Sequence, residues 1–94
     1  MLSQNEINII IETLKPYNPI RTGLFGSVVR NEETETSNID ILYSFNAPIS
    51  LFGLVAIQNN LNQNLHRDVD LVSENAIHPY LKKGIINDLK IIYG

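Results

Sequence analysis

The sequence LFGSVVR at residues 24–30, followed by SNIDILY at residues 37–43, decides how this chain folds. Apolar residues lead into Gly26 and Ser27, and glycine lets the backbone turn tightly and approach a ligand closely. The polar residues 32–37 between the two stretches predict a loop. We therefore expect a strand, a turn into a short helix, a polar loop and a second strand, in that order.

Hydrophobic periodicity places further elements on both sides of this stretch. Ser3 and Glu6 have the spacing of a capping box, which predicts the start of a helix. The order of elements predicts a small sheet with helices packed against it. We assign this arrangement to the α+β class, although the pattern does not give the strand directions. The predicted elements are helix 3–15, strand 20–25, helix 28–31, strand 39–43, helix 51–63, strand 68–72 and a final helix from Pro79 that carries Leu81, Ile85, Ile86, Leu89 and Ile92.

Composition limits the possible functions of the chain. Its 94 residues predict a single domain over residues 1–94, and without cysteine it can form neither disulfides nor zinc–thiolate sites. The net charge of −3 and the lack of a basic cluster disfavour direct binding to nucleic acid. No secretory leader or membrane-length apolar run is present, so we expect a cytoplasmic protein that does not bind membranes.

Two aspartates stand inside apolar strands. Asp40 lies between Ile39 and Ile41, and Asp70 has similar apolar neighbours. Aspartate is depleted in strands, and a partly buried carboxylate is costly unless something compensates its charge. Magnesium would do so, because it prefers carboxylate oxygens and bridges to substrate phosphates. Asn38 should point to the same side as Asp40, since side chains two apart on a strand share a face.

The order and spacing of these features resemble the minimal nucleotidyltransferase family, the shortest members of the polymerase-β-like nucleotidyltransferase superfamily. The resemblance begins at residues 24–27, extends through Asp70, and continues into residues 76–81 and 91–93. It implies the polymerase-β-like nucleotidyltransferase fold, in which a small mixed β-sheet is packed with helices. It also implies a metal-assisted transfer of a nucleotidyl group from a nucleoside triphosphate.

The resemblance assigns roles to particular residues. Gly26 and Ser27 correspond to the residues that hold the triphosphate, and Arg30 to an arginine that binds phosphate or orders the loop. Asp40 and Asp70 correspond to catalytic carboxylates that ligate Mg²⁺. The implied reaction transfers AMP from ATP to a protein partner, a HEPN-domain toxin, for which the chain serves as antitoxin.

Asn38 departs from the family pattern, because an aspartate normally stands at that position. An amide offers one neutral oxygen where a carboxylate offers a full charge, so Asn38 is a weak or lost metal ligand. Asp68 is a less favoured substitute. The sequence thus leaves an alternative open: a catalytically degenerate module that neutralises its partner by binding alone.

The hydrophobic content suggests that the chain associates with another protein. Residues of hydrophobic type make up 44% of the sequence, and a domain this small buries only part of its surface. We expect an apolar patch on the final helix, formed by Ile85, Leu89 and Ile92. Such a patch favours a homo- or hetero-oligomer.

Overall fold

A computed structural model describes residues 1–34 and 36–94, so position 35 of the predicted loop lies outside the described residues. Within these ranges, no helix has both the length and the hydropathy needed to cross a membrane. The elements are α1 (Gln4–Leu14), β1 (Pro19–Phe25), α2 (Ser27–Arg30), β2 (Ile39–Phe45), α3 (Leu51–Leu65), β3 (Val69–Ser73), α4 (Pro79–Asp88) and β4 (Lys90–Tyr93), with short 3₁₀ turns at Lys15–Tyr17 and Glu74–Ala76.

The strands form one mixed sheet in the order β3-β2-β1-β4. β1 is antiparallel to both β2 and β4, whereas β2 and β3 run parallel. Parallel neighbours need a crossover connection, and α3 supplies it between β2 and β3. The prediction of an α+β fold with a small mixed sheet is confirmed.

The core lies between one face of the sheet and helices α1 and α3. Ile39 and Ile41 of β2 are fully buried there, together with Ile10 of α1 and Leu61 of α3. Because side chains alternate along a strand, Asp40 points to the opposite face. The fold thus hides the apolar half of β2 and leaves its acidic position open to a ligand.

The end of the chain differs from the prediction. The final helix stops at Asp88, where Leu89 leaves helical geometry, and Ile92 belongs to strand β4 rather than to the helix. The predicted order of elements therefore lacked a fourth strand. β4 is short and has consecutive apolar residues, and such a run has no periodicity that separates helix from strand. Pairing with the free edge of β1 decides its conformation.

Apolar surface remains exposed, but not on the predicted face. Ile85, Leu89 and Ile92 are half-buried, because α4 packs against β1 and the strand after it, β4, pairs with β1. The most exposed apolar side chains instead lie early in α3 and on α4, namely Leu51, Phe52, Tyr80, Leu81 and Ile86, while Ile20 of β1 and Ile91 of β4 are exposed to a lesser extent.

Candidate functional site

Asp40 and Asp70 lie side by side on neighbouring strands. The parallel register of β2 and β3 places them directly opposite each other. Both carboxylates face a groove with a volume of about 690 Å³. Its walls include Leu51 and Val55 of α3 and Leu81 and Ile85 of α4. We call this space the carboxylate groove.

The electrostatics of the pair are those of two like charges held together. Burial raises the pKa of the Asp40 carboxyl, and the charge of Asp70 and a hydrogen bond with it raise that pKa further. Arg30 acts in the opposite direction, because its positive charge favours ionised Asp40. A carboxyl whose pKa is raised both by burial and by a neighbouring carboxylate in a cleft is a candidate functional group.

Asn38, the residue just before β2, contacts this carboxylate pair. Its Nδ2 donates a hydrogen bond to Oδ2 of Asp70 over 3.1 Å. An aspartate at this position would instead add a third negative charge. Among the described residues, no three His, Cys, Asp or Glu side chains are grouped to hold a metal ion. Asp40 and Asp70 nevertheless fit a magnesium ion, which proteins commonly bind through one or two carboxylates together with substrate phosphates.

Gly26 lies against the carboxylate of Asp40. Its φ of 78° and ψ of −152° form a backbone conformation that side chains rarely allow. A Cβ at Gly26 would also collide with the Asp40 carboxylate. Ser27 follows as the first residue of α2 and is half-buried, while Phe25 borders the carboxylate groove. Glycine at position 26 therefore lets the turn approach the acidic pair.

Arg30 ends α2 and forms ion pairs with two carboxylates. Its Nε lies 3.1 Å from Glu32, and its Nη1 contacts Asp88 at the end of α4. Sequence reasoning did not find Asp88. The two paired residues stand 58 positions apart, so no local pattern connects them.

Other residues considered from the sequence lie away from the acidic pair. Asp68 precedes β3 and lines a separate polar depression with His66 and Arg67, so it does not replace the missing carboxylate at position 38. His78 borders the carboxylate groove, where its Nδ1 accepts a hydrogen bond from the Tyr80 backbone N–H and caps α4. Both histidines have structural positions at helix ends.

Comparison with known sequences finds clear relatives. A family model described as "Polymerase beta, Nucleotidyltransferase" matches residues 8–94. MJ0126 of Methanocaldococcus jannaschii, a predicted protein adenylyltransferase, is 47% identical over 79 residues, which cover 83% of this chain and 81% of that protein. The protein adenylyltransferase MntA of Thermococcus cleftensis is 30% identical over 94 residues and covers 95% of both chains.

Solved structures share the fold. A toxin–antitoxin crystal structure with AMP-PNP matches with a TM-score of 0.83 and 24% identity, covering 94% of this chain and 73% of the other. The MNT antitoxin in complex with the tri-AMPylated HEPN toxin of Shewanella oneidensis matches with a TM-score of 0.79 and 23% identity, covering 99% and 73%. At these identities, the similarity concerns the fold.

Proposed function

The chain belongs to the polymerase β nucleotidyltransferase family, and on that premise we propose that it transfers AMP from ATP to a protein partner. The observation that carries this proposal is the pair of carboxylates on parallel strands, Asp40 and Asp70, with the Gly26 turn packed against Asp40. AMP as the transferred group is supported by relatives named as protein adenylyltransferases.

The partner that we propose is a HEPN-type toxin, with this chain as its antitoxin. The support is twofold. Structural neighbours include an MNT antitoxin bound to an AMPylated HEPN toxin. In this chain, apolar side chains such as Leu51 and Leu81 are exposed on the walls of the carboxylate groove, where a protein acceptor would lie.

Asp40 and Asp70 would hold magnesium, with the amide oxygen of Asn38 as a weaker ligand. When bound, the metal would supply the positive charge that the triphosphate and the two carboxylates require. The carboxylate pair matches the need of this ion for hard oxygen ligands. Removing a cation from this site would leave the like charges of Asp40 and Asp70 facing each other.

Residues around the carboxylate pair would bind the triphosphate and assist the transfer. The Ser27 hydroxyl and the backbone at Gly26 would hold the phosphates, and Arg30 would neutralise part of their charge. The acceptor hydroxyl oxygen would form a bond to the α-phosphorus of ATP, while the bond from that phosphorus to the bridging oxygen breaks. Pyrophosphate leaves, and the hydroxyl proton passes to a carboxylate of the pair.

Transfer of labelled AMP tests this function. The purified chain is incubated with magnesium, ATP labelled at its α-phosphate, and a purified HEPN-domain protein. We expect the label on the partner, and a loss of at least about 100-fold in rate for Asp40→Asn. Asp68→Asn is the control, because it removes an acidic charge outside the carboxylate groove. An unlabelled partner would contradict the proposal.

Asn38 favours one alternative function. Asn38 donates a hydrogen bond to Asp70 from the position where a third carboxylate would bind a second cation. The chain would then neutralise its partner by contact alone. In that case the partner stays unlabelled, and both the original chain and Asp40→Asn protect cells against the toxin equally.

A further inference from the structure

An ion pair connects α2, the short helix after the Gly26–Ser27 turn, to helix α4. Arg30 is the last residue of α2, and Asp88 is the last residue of α4. Nη1 of Arg30 contacts Oδ2 of Asp88, and its Nε donates to Glu32 over 3.1 Å. The Asp88 side chain is 22% exposed and that of Glu32 is 64% exposed, so Asp88 is the more enclosed partner.

Helix α4 is packed less deeply than α1 and α3, which both contain buried residues. None of its residues is fully buried. Asp88 stands at its C-terminal end, where the helix dipole disfavours a negative charge. The positive charge of Arg30 offsets this penalty. The ion pair therefore both stabilises the end of α4 and holds it beside α2.

The same helix forms a wall of the site. Leu81 and Ile85 of α4 line the carboxylate groove, and they also line a smaller depression that contains Gly26, Arg30 and Asp88. The charge of Arg30 additionally acts on Asp40. A change in the partner of Arg30 would thus alter both the electrostatics of Asp40 and the packing of α4, which forms a wall of the groove.

We propose that Asp88 is a positioning residue that holds Arg30 to α4 until a triphosphate competes for the guanidinium and loosens the helix. The inference rests on the proposed function in taking the Gly26–Ser27 turn as the triphosphate site. A guanidinium binds phosphate oxygens in a bidentate manner, and a partly exposed pair with a single carboxylate is weak. A bound triphosphate would therefore displace Asp88, and the wall of the groove would gain mobility when nucleotide is present.

Binding of inorganic triphosphate, measured by calorimetry, tests the competition. We expect Asp88→Asn to bind it about two- to five-fold more tightly than the original chain, which is the range for losing one exposed ion pair. Asp88→Glu should restore the original affinity. Glu12→Gln is the control for net charge, because Glu12 lies exposed on α1, and it should change the affinity less. Equal or weaker binding by Asp88→Asn would overturn the proposal, whereas a purely structural role would not tighten binding.

Hydrogen exchange tests the effect on α4. Saturating triphosphate should accelerate amide exchange across Pro79–Asp88 in the original chain. In Asp88→Asn, exchange there should already be fast and respond little. Unchanged exchange in the original chain would overturn the inference. If these results hold but no AMP is transferred, only the proposed function fails. If transfer occurs while Asp88→Asn behaves like the original chain, only the inference about Asp88 fails.

Discussion

Asp40 costs stability in the absence of a cation. Its carboxyl is half-buried beside Asp70, and these surroundings raise its pKa in the folded chain. The folded chain consequently holds the Asp40 proton more tightly than the unfolded chain does. Stability should fall as the pH rises through the interval from the ordinary carboxyl pKa, about 3.9, to the raised folded value. Sites that gather like charges commonly sacrifice stability for function.

We expect Asp40→Asn to melt at a higher temperature than the original chain at neutral pH without magnesium. The amide removes the repulsion with Asp70 and leaves the shape of the side chain unchanged. The increase in melting temperature over the original chain should shrink as the pH falls. It should vanish below the ordinary carboxyl pKa of about 3.9, where Asp40 is itself neutral. Melting curves over a pH series measure this, with Asp68→Asn as the exposed control. A gain independent of pH would contradict the explanation.

Asn38→Asp should have the opposite effect. It replaces a donor to Asp70 with a third negative charge, so the free energy of unfolding without magnesium should fall by about 1–2 kcal/mol. Magnesium should then stabilise the variant more than the original chain, because a ligand that binds only the folded form adds to stability. Melting with and without magnesium measures both effects, with Asn60→Asp on α3 as control. Equal stabilisation by magnesium would show that position 38 is not a ligand.

Two glycines, one in the turn before α2 and one inside α4, give a matched pair of variants that tests the need for glycine in the turn. Gly26→Ala should lower the free energy of unfolding by about 1–3 kcal/mol, because its φ is positive and the new Cβ would meet Asp40. Gly84→Ala should raise it by about 0.5–1 kcal/mol, since Gly84 lies inside α4 with open space around it. Urea unfolding measures both changes. A tolerated Gly26→Ala would mean that the turn does not need glycine.

The sequence predicted the local part of the site but not its long-range part. Asp40 and Asp70 stand out because aspartate within an apolar strand is unusual. Their position opposite each other comes from the parallel register of β2 and β3, which the sequence pattern does not give. The pairing of Arg30 with Asp88 depends on where α4 crosses the sheet. That crossing is set by tertiary packing, which one-dimensional spacing does not encode.

At the level of elements, α3 protects the free edge of the sheet. β3 is an edge strand, and the outward N–H and C=O of Val69 both bond to α3 side chains. Asn62 accepts from the Val69 N–H over 2.8 Å, and Gln58 donates to the Val69 C=O over 2.8 Å. Unpaired strand edges can pair with other chains, and these contacts remove the polar groups of Val69 from that edge.

Asn62→Ala should lower the free energy of unfolding by about 1–3 kcal/mol, because it leaves the N–H of the buried residue Val69 without its partner. The exposed residue Asn60 on the same helix gives the control. Asn60→Ala should be neutral or slightly stabilising, since alanine favours helix more than asparagine. Denaturant unfolding of both variants measures the difference. Equal stabilities would show that water replaces the Asn62 contact at this edge.

The elements with strong periodicity were predictable, and the one without it was not. Helices α1 and α3 have caps and apolar stripes in the sequence, and β2 has a β-branched run. β4 has neither alternation nor its own turn signal, and its partner β1 lies far away in the sequence. Its conformation comes from the unpaired edge of β1, so it is visible only once the sheet is assembled.

At the level of the whole molecule, the most exposed apolar side chains lie on the two helices that border the carboxylate groove. Phe52 is 88% exposed and Tyr80 is 91% exposed, on the two helices that border it. That apolar surface would remain exposed followed from composition and size. Its location did not, because it depends on which face of α4 packs against the sheet.

We expect Phe52→Ser to weaken association with the HEPN-type partner about tenfold or more, as loss of an aromatic anchor does in protein interfaces. Because Phe52 makes little contact within the chain, the free energy of unfolding should stay within about 0.5 kcal/mol of the original. Asn60→Ser on the same helix is the control and should bind normally. Sedimentation over a concentration series measures both self-association and partner binding. Unchanged association of Phe52→Ser would place the interface on another surface, and a marked loss of stability would mean that Phe52 belongs to the core.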